Sequence, residues 1–331
     1  MKAPRLTEEE PLQQSAATVI YGHALRLMQE THMAVARLAD PSDAEALHDA
    51  RVGLRRLRGW LQAFAAELPL KRNRKRRLRD LAHATNTARD AEVGLEWLAV
   101  LAPGFDPRAK AGVTSFSRSL AAIRDENYVE ARRSLPEDWR RLSRKLGAAL
   151  KKKAKDARRF REPFGASLQR YLEGFCAAMD AARRTADPAS IHRLRIAGKK
   201  LRYLLETILP WHPEHEVIVH ELKALHELAG SIQDLQRLLA LSEHVFQRQA
   251  GRQYRKLLET YAEPATHARR LRKPDLSAAA VPLLWICRGS GRVQAERVKE
   301  FRKRYLGRSR PAFLQQLRAL CRELGRPLKT A

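Results

Sequence analysis

Residues 192–203 read HRLRIAGKKLRY, and residues 48–59 read HDARVGLRRLRG. In each, a histidine is followed by basic residues three, seven, eight and ten positions on. Sliding the chain against itself by 144 residues lays His48 on His192, Arg51 on Arg195, Arg55 on Lys199, Arg56 on Lys200 and Arg58 on Arg202. The apolar positions follow, with Val52 on Ile196, Leu57 on Leu201 and Leu61 on Leu205. Without a gap the match runs on, LRDLAHATNTARDAEV (78–93) lying over LKALHELAGSIQDLQR (222–237). That second block pairs Arg79 with Lys223, Thr87 with Ser231 and Asp90 with Asp234. An internal repeat of this extent predicts two helical bundles related by an approximate twofold axis.

On a helix each residue turns by roughly 100°. Taking His48 as zero, Arg51, Arg55 and Arg58 fall near ~300°, ~340° and ~280°, on one stripe. Leu54, Leu57, Leu61 and Phe64 fall opposite. The second copy sets His192, Arg195, Lys199 and Arg202 against Leu194, Leu201, Leu205 and Ile208, with Arg56 and Lys200 at the shoulders. A merely solvated helix face needs polarity but no fixed residue order. Like charges three and four residues apart repel by a few tenths of a kcal/mol per pair. Two stripes of cations without interleaved acids therefore suit an anion with closely spaced charges better than they suit stability.

Composition agrees. The chain has 331 residues, 64 Lys+Arg against 37 Asp+Glu, and a formal charge of +27. Leu, Ala and Arg, all strong helix formers, are abundant, so the chain reads as all-α. Apolar residues recur at helical spacing over 12–39, 43–68, 74–101, 112–133, 164–186, 189–209, 214–230, 231–262, 277–306 and 311–324. Breaks are expected at 40–43, 102–104, 134–136, 187–188 and 209–213, which carry Pro, Gly or Asp. The segment 150–164 is nearly all charge, and divides the chain into a first half (12–150), a basic connection (151–163) and a second half (164–331). A charge of this size favours a polyanionic partner: nucleic acid, an anionic membrane or inorganic polyphosphate.

Cys176, Cys287 and Cys321 stand far apart without metal spacing, which suggests reduced, buried thiols in a cytosolic protein. The N-terminus has no apolar run of signal-peptide type. The longest apolar stretch, SAAAVPLLWIC at 277–287, is too short to span a bilayer and reads as a buried core helix.

The pattern H-x-x-R-x-x-x-[RK]-[RK]-L-R, given twice and each time followed by a helix carrying Asp90 or Asp234, resembles the CHAD family, the conserved histidine α-helical domain. The resemblance covers roughly residues 12–310 and is closest at 192–206, so the whole chain, 1–331, reads as a single such domain. It implies two four-helix-type bundles with pseudo-twofold symmetry, and non-enzymatic binding of inorganic polyphosphate, some members being associated with polyphosphate granules. Carried over residue by residue, it implies phosphate contacts from His48, Arg51, Arg55, Arg56, Arg58, His192, Arg195, Lys199, Lys200 and Arg202, with Arg79 and Lys223 as additions. Asp90 and Asp234 either orient a neighbouring arginine or form a structural ion pair. The chain departs from the family at Asn86, where a glycine is usual, and at Gln233, where a basic residue precedes Asp90 in the first copy. The run Glu8-Glu9-Glu10 does not supply the E-x-E-x-K signature of the triphosphate-tunnel domain fused to some relatives, since Leu12 holds the lysine position.

The residues also argue against other classes. There is no Gly-rich phosphate loop, no G-x-S-x-G, no H-E-x-x-H and no grouped carboxylates suited to magnesium. His83 and His226 do not align in the repeat, and His212 and His215 lie in a proline-flanked loop, so no metal and no cofactor is expected. The alternative partner is nucleic acid, using the same basic surface. Single-stranded binders interleave aromatic rings with their cations, and only Tyr203 accompanies a comb.

Overall fold

Aspartates start the two helices that carry the combs. Asp43 Oδ1 accepts from the Glu45 and Ala46 N–H groups (3.1 and 3.0 Å) ahead of α2 (Ala46–Ala63), and Asp187 Oδ1 accepts from the Ser190 N–H (2.7 Å) at the head of α7 (Pro188–Leu205). Such caps satisfy N–H groups that a helix leaves unpaired and are worth about 1 kcal/mol each. Both helices then bury the stripe opposite their cations: Leu54, Leu57 and Phe64 on one, Leu194, Leu201 and Leu205 on the other, are fully buried.

The computed structural model describes residues 10–43, 45–68, 70–151, 158–262, 277–307 and 310–325. Residues 152–157 of the expected basic connection, and the residues Glu8 and Glu9, lie outside them. The described residues are helical, without a strand; a lone bridge joins Ser15 to Arg159. The remaining helices are α1 (Ala16–Arg37), α3 (Arg72–Ala84), α4 (Asn86–Leu101), α5 (Lys110–Lys151), α6 (Arg161–Thr185), α8 (Glu216–Ala262), α9 (Ser277–Phe301) and α10 (Arg310–Gly325).

Two compact units divide these elements, and neither follows the halves of the chain. One gathers Met1–Asn86, Tyr128–Gly230 and Val298–Ala331; the other gathers Thr87–Asn127 and Ser231–Arg297. In the first, α1 packs on α2, α6 on α7, α10 on α6, and α2 meets α7. Its aromatic spine runs Trp60, Phe64, Phe160, Phe164, with successive centroids 4.4 to 5.5 Å apart. The second has its own core of Leu98, Leu101, Phe116, Leu120, Leu235, Leu238, Val245 and Ile286.

Several element boundaries differ from those expected. The pattern over 74–101 is two helices, α3 and α4, parted at Thr85, whose hydroxyl donates to the Ala82 carbonyl (3.1 Å). The repeat-related position is Ala229, which has no hydroxyl to compete for the backbone, and there α8 runs unbroken through Gly230. The expected break at 134–136 is absent. Pro136 lies inside α5, where buried Leu135 and Trp139 hold both of its flanks in the core. The stretch 277–287 is helical and, where its side chains are described, buries one face only: Ile286 is fully buried in the core of the second unit with Leu283 packed against it, while Leu284 is 66% exposed and Cys287 is exposed. The expectation of buried thiols holds for Cys321 only, Cys176 being half-buried; all three are free. Among the described residues no helix is long and apolar enough to cross a membrane.

Candidate functional site

α2 and α7 bring Arg55 and Arg58 of one comb beside Arg195, Lys199 and Arg202 of the other. The spacing i, i+4, i+7 puts Arg51, Arg55 and Arg58 on one face of α2, and Arg195, Lys199 and Arg202 on one face of α7. Where the helices meet, Lys199 is pressed by burial and then by Arg55, Arg195, Arg202 and Arg58, which together lower its amine from 10.5 to about 7. Burial, with Arg55 and Arg79, also depresses the Arg58 guanidinium. The Nε atoms of Arg55 and Arg202 are buried without a hydrogen-bond partner. A buried donor left unpaired costs about 1–3 kcal/mol, and here two lie among like charges.

The acids are not wholly missing. Glu206, one turn past the comb, sits 3.1 Å from Arg202 Nη1. On the α2 side, Arg37 of α1 takes Asp49 and Asp43 as partners.

The site opens into a cleft of about 370 Å³. Arg55, Arg56, Arg58 and Gly59 line it from α2; Ile196, Lys199, Lys200 and Tyr203 line it from α7; His23, Arg26 and Glu30 come from α1, Tyr171 from α6, and Trp211 from the segment before α8. Tyr203 lies under two cations, Lys199 Nζ at 5.3 Å and Arg202 Cζ at 4.9 Å from its ring centroid, and Lys200 Nζ stands 5.7 Å from that of Tyr171. A second groove, of about 980 Å³, continues from Arg58 along α3, with Arg72, Arg74, Lys75, Arg76 and Arg79 on its walls.

The other expected residues are placed variously. Arg56 is exposed at the cleft, near His23, and Arg79 is exposed beside Asp80, at 3.3 Å. His48 is exposed in the first turn of α2, and neither it, Arg51, His192 nor Arg195 is among the residues lining the cleft. Lys223 is exposed and 4.0 Å from Glu227. Asp90 and Asp234 belong to the second unit, where both approach Arg237, at 3.5 and 3.1 Å.

Histidines passed over in the sequence enter the site. His226 is held neutral, its pKa lowered from 6.5 to about 2 by burial and then by Arg195, Lys199, Arg202 and Arg55. Its carbonyl accepts from Arg195 Nε (3.4 Å), and its Nδ1 is buried without a hydrogen-bond partner. The same Arg195 guanidinium packs over Gly230, where a Cβ would stand in ordinary contact, 3.5 Å from its Nε. His23, lowered to about 3 by burial and by Arg26 and Arg56, accepts at Nδ1 from Arg26 Nη2 (2.7 Å) and leans on Trp60, 4.1 Å between ring centroids. The basic run 71–77, KRNRKRR, was the visible signal for the α3 groove.

A family model for the CHAD domain matches residues 20–243, and the chain belongs to that family. Among solved structures it is similar to the crystal structure of the CHAD domain from the plant Ricinus communis, with a TM-score of 0.66, 21% identity, and 97% of this chain and 96% of that one covered. At that identity the likeness speaks for the fold. The comparison with curated proteins returned no match.

Proposed function

We propose that the chain binds inorganic polyphosphate, without catalysis, along the cationic site made by α2 and α7. The observation that carries this reading is the gathering of Arg55 and Arg58 with Arg195 and Arg202 around Lys199, tight enough to push that amine to about 7. Such a cluster is stabilised by a ligand that brings several negative charges at short intervals. Arginine forks then pair two phosphate oxygens at once, while the lysine acts as a point charge. The α3 groove extends the track for a longer chain. In this reading the protein works in the cytoplasm, on polyphosphate granules, and residues 12–150 and 164–331 are duplicated halves that each contribute one comb.

Charge reversal at Arg195 and Lys199, with the α2 comb intact, tests the shared site. A single groove predicts that long-chain polyphosphate binding collapses, because one continuous chain engages both combs at high effective concentration. Two separable sites of undiminished individual affinity would refute it. A second reading, single-stranded nucleic acid, is favoured by one specific observation: Tyr171, Tyr203 and Trp211 line the cleft beside the cations, where bases can stack.

A further inference from the structure

A second cluster lies apart from the cationic residues, in the short 3-10 turn Pro213–His215 that leads into α8. The His215 N–H donates to the His212 carbonyl (3.1 Å), and the turn brings the two imidazoles face to face, with centroids 5.7 Å apart and planes 13° from parallel. Glu214 Oε1 stands 3.1 Å from His212 Nδ1 and 3.8 Å from His215 Nε2. The three groups present nitrogen and oxygen atoms all within 4.8 Å of one another.

Two details ask for something between them. His212 Nε2 lies 2.8 Å from Glu10 Oε1, 202 residues away in sequence. A carboxylate there accepts a hydrogen bond from Nε2–H, which in a neutral imidazole leaves Nδ1 as the lone-pair nitrogen. That lone pair faces a carboxylate oxygen of Glu214, acceptor against acceptor. Moreover, the His215 side chain is 7% exposed, and its Nε2 is buried without a hydrogen bond. An imidazolium at His212 would answer the first detail but leave the second.

We propose that His212 Nδ1, Glu214 and His215 Nε2 form a binding site for a divalent transition-metal ion of the zinc class, with Glu10 orienting His212 from behind. Two imidazoles and one carboxylate suit zinc, which takes its ligands at about 2.0–2.2 Å and keeps a fourth position for water where the protein supplies three. Magnesium prefers an all-oxygen shell. Small side-chain rotations close the present separations onto one ion. The bound ion would tie the entry of α8 to the segment around Glu10. The H-x-E-H spacing is visible in sequence, but Glu10 and the burial of His215 are not.

Titration calorimetry of the chain with zinc chloride, in phosphate-free, non-chelating buffer, tests this together with the visible absorption of cobalt(II). The wild type should bind one ion tightly, give the absorption of tetrahedral cobalt, and melt at a higher temperature with zinc. Because His215 is buried, the decisive variants are Glu214→Gln and His212→Asn at more accessible positions; both should lose the tight site. Glu10→Gln should weaken it about ten- to hundredfold. Zinc binding no tighter than magnesium in the wild type, or unchanged zinc affinity and stoichiometry in the two decisive variants, would overturn the proposal.

Discussion

Lys199 is the residue whose chemistry most directly reports the site. Its amine is lowered to about 7 by burial and four arginines, against 10.5 in an unfolded chain. Between those values the unfolded chain holds more protons than the folded one. In ligand-free protein its contribution to stability therefore rises as pH climbs from about 7 and levels off near 10.5. A bound polyanion restores the charge, so binding takes up a proton and affinity should fall as pH rises above 7, by at most about tenfold per pH unit. Lys199→Arg should still bind and should lose this dependence, since arginine stays charged throughout. Isothermal titration between pH 7 and 9 checks it, and an identical slope in the arginine variant would sink the assignment. At this scale the comb was legible because helical spacing alone fixes which side chains share a face. His226 was not, because the repeat sets Ala82 opposite it and only the fold brings it under Arg195. His23, Tyr171 and Trp211 reach the cleft from three other segments, and no local pattern connects them.

Among the elements, α1 and α2 pack tightly at Gly53, where a Cβ would come within 2.5 Å of Thr31 Oγ1 and 3.1 Å of Thr31 Cα. Backbone cannot step aside as a flexible side chain can. Gly53→Ala should therefore destabilise by about 1–3 kcal/mol, as overpacking does. Gly59→Ala, on the same helix, meets only Tyr203 Cδ2 at 3.8 Å and should be neutral or stabilising by up to about 1 kcal/mol, the helix-propensity gain. Urea denaturation of the two variants gives the contrast, and equal losses would contradict it. A related prediction concerns the combs. Replacing Arg51, Arg55, Arg195 and Lys199 with glutamine should leave α2 and α7 formed, because Leu54, Leu57, Leu194, Leu201 and Leu205 hold them from the other side. Without ligand the change should be neutral or mildly stabilising, and the rise in melting temperature with polyphosphate should vanish. A clear loss of stability in the absence of ligand would assign the combs a structural role. Helix type was legible from periodicity, but not every boundary. Pro136 reads as a stop and is carried through by buried neighbours, and Thr85 reads as helix interior and ends α3.

For the whole molecule, the formal charge of +27 sets the terms on which any partner is met. The all-helical class could be read from composition. The gathering of compact units from separated stretches could not, because α5 and α8 each pass from one unit into the other and nothing in their apolar rhythm marks the passage. Charge alone does not separate polyphosphate from nucleic acid; charge spacing and the cleft rings do. The most direct measurement is a competition at fixed salt of long-chain polyphosphate against single-stranded RNA and DNA of equal total charge, repeated over a salt series. The account predicts that polyphosphate binds much more tightly, with a log–log salt slope of several units in magnitude if on the order of six or more phosphates are neutralised. Equal affinity for single-stranded RNA, lost when Tyr203 and Tyr171 are replaced by leucine, would contradict it and make the cleft a base-stacking platform.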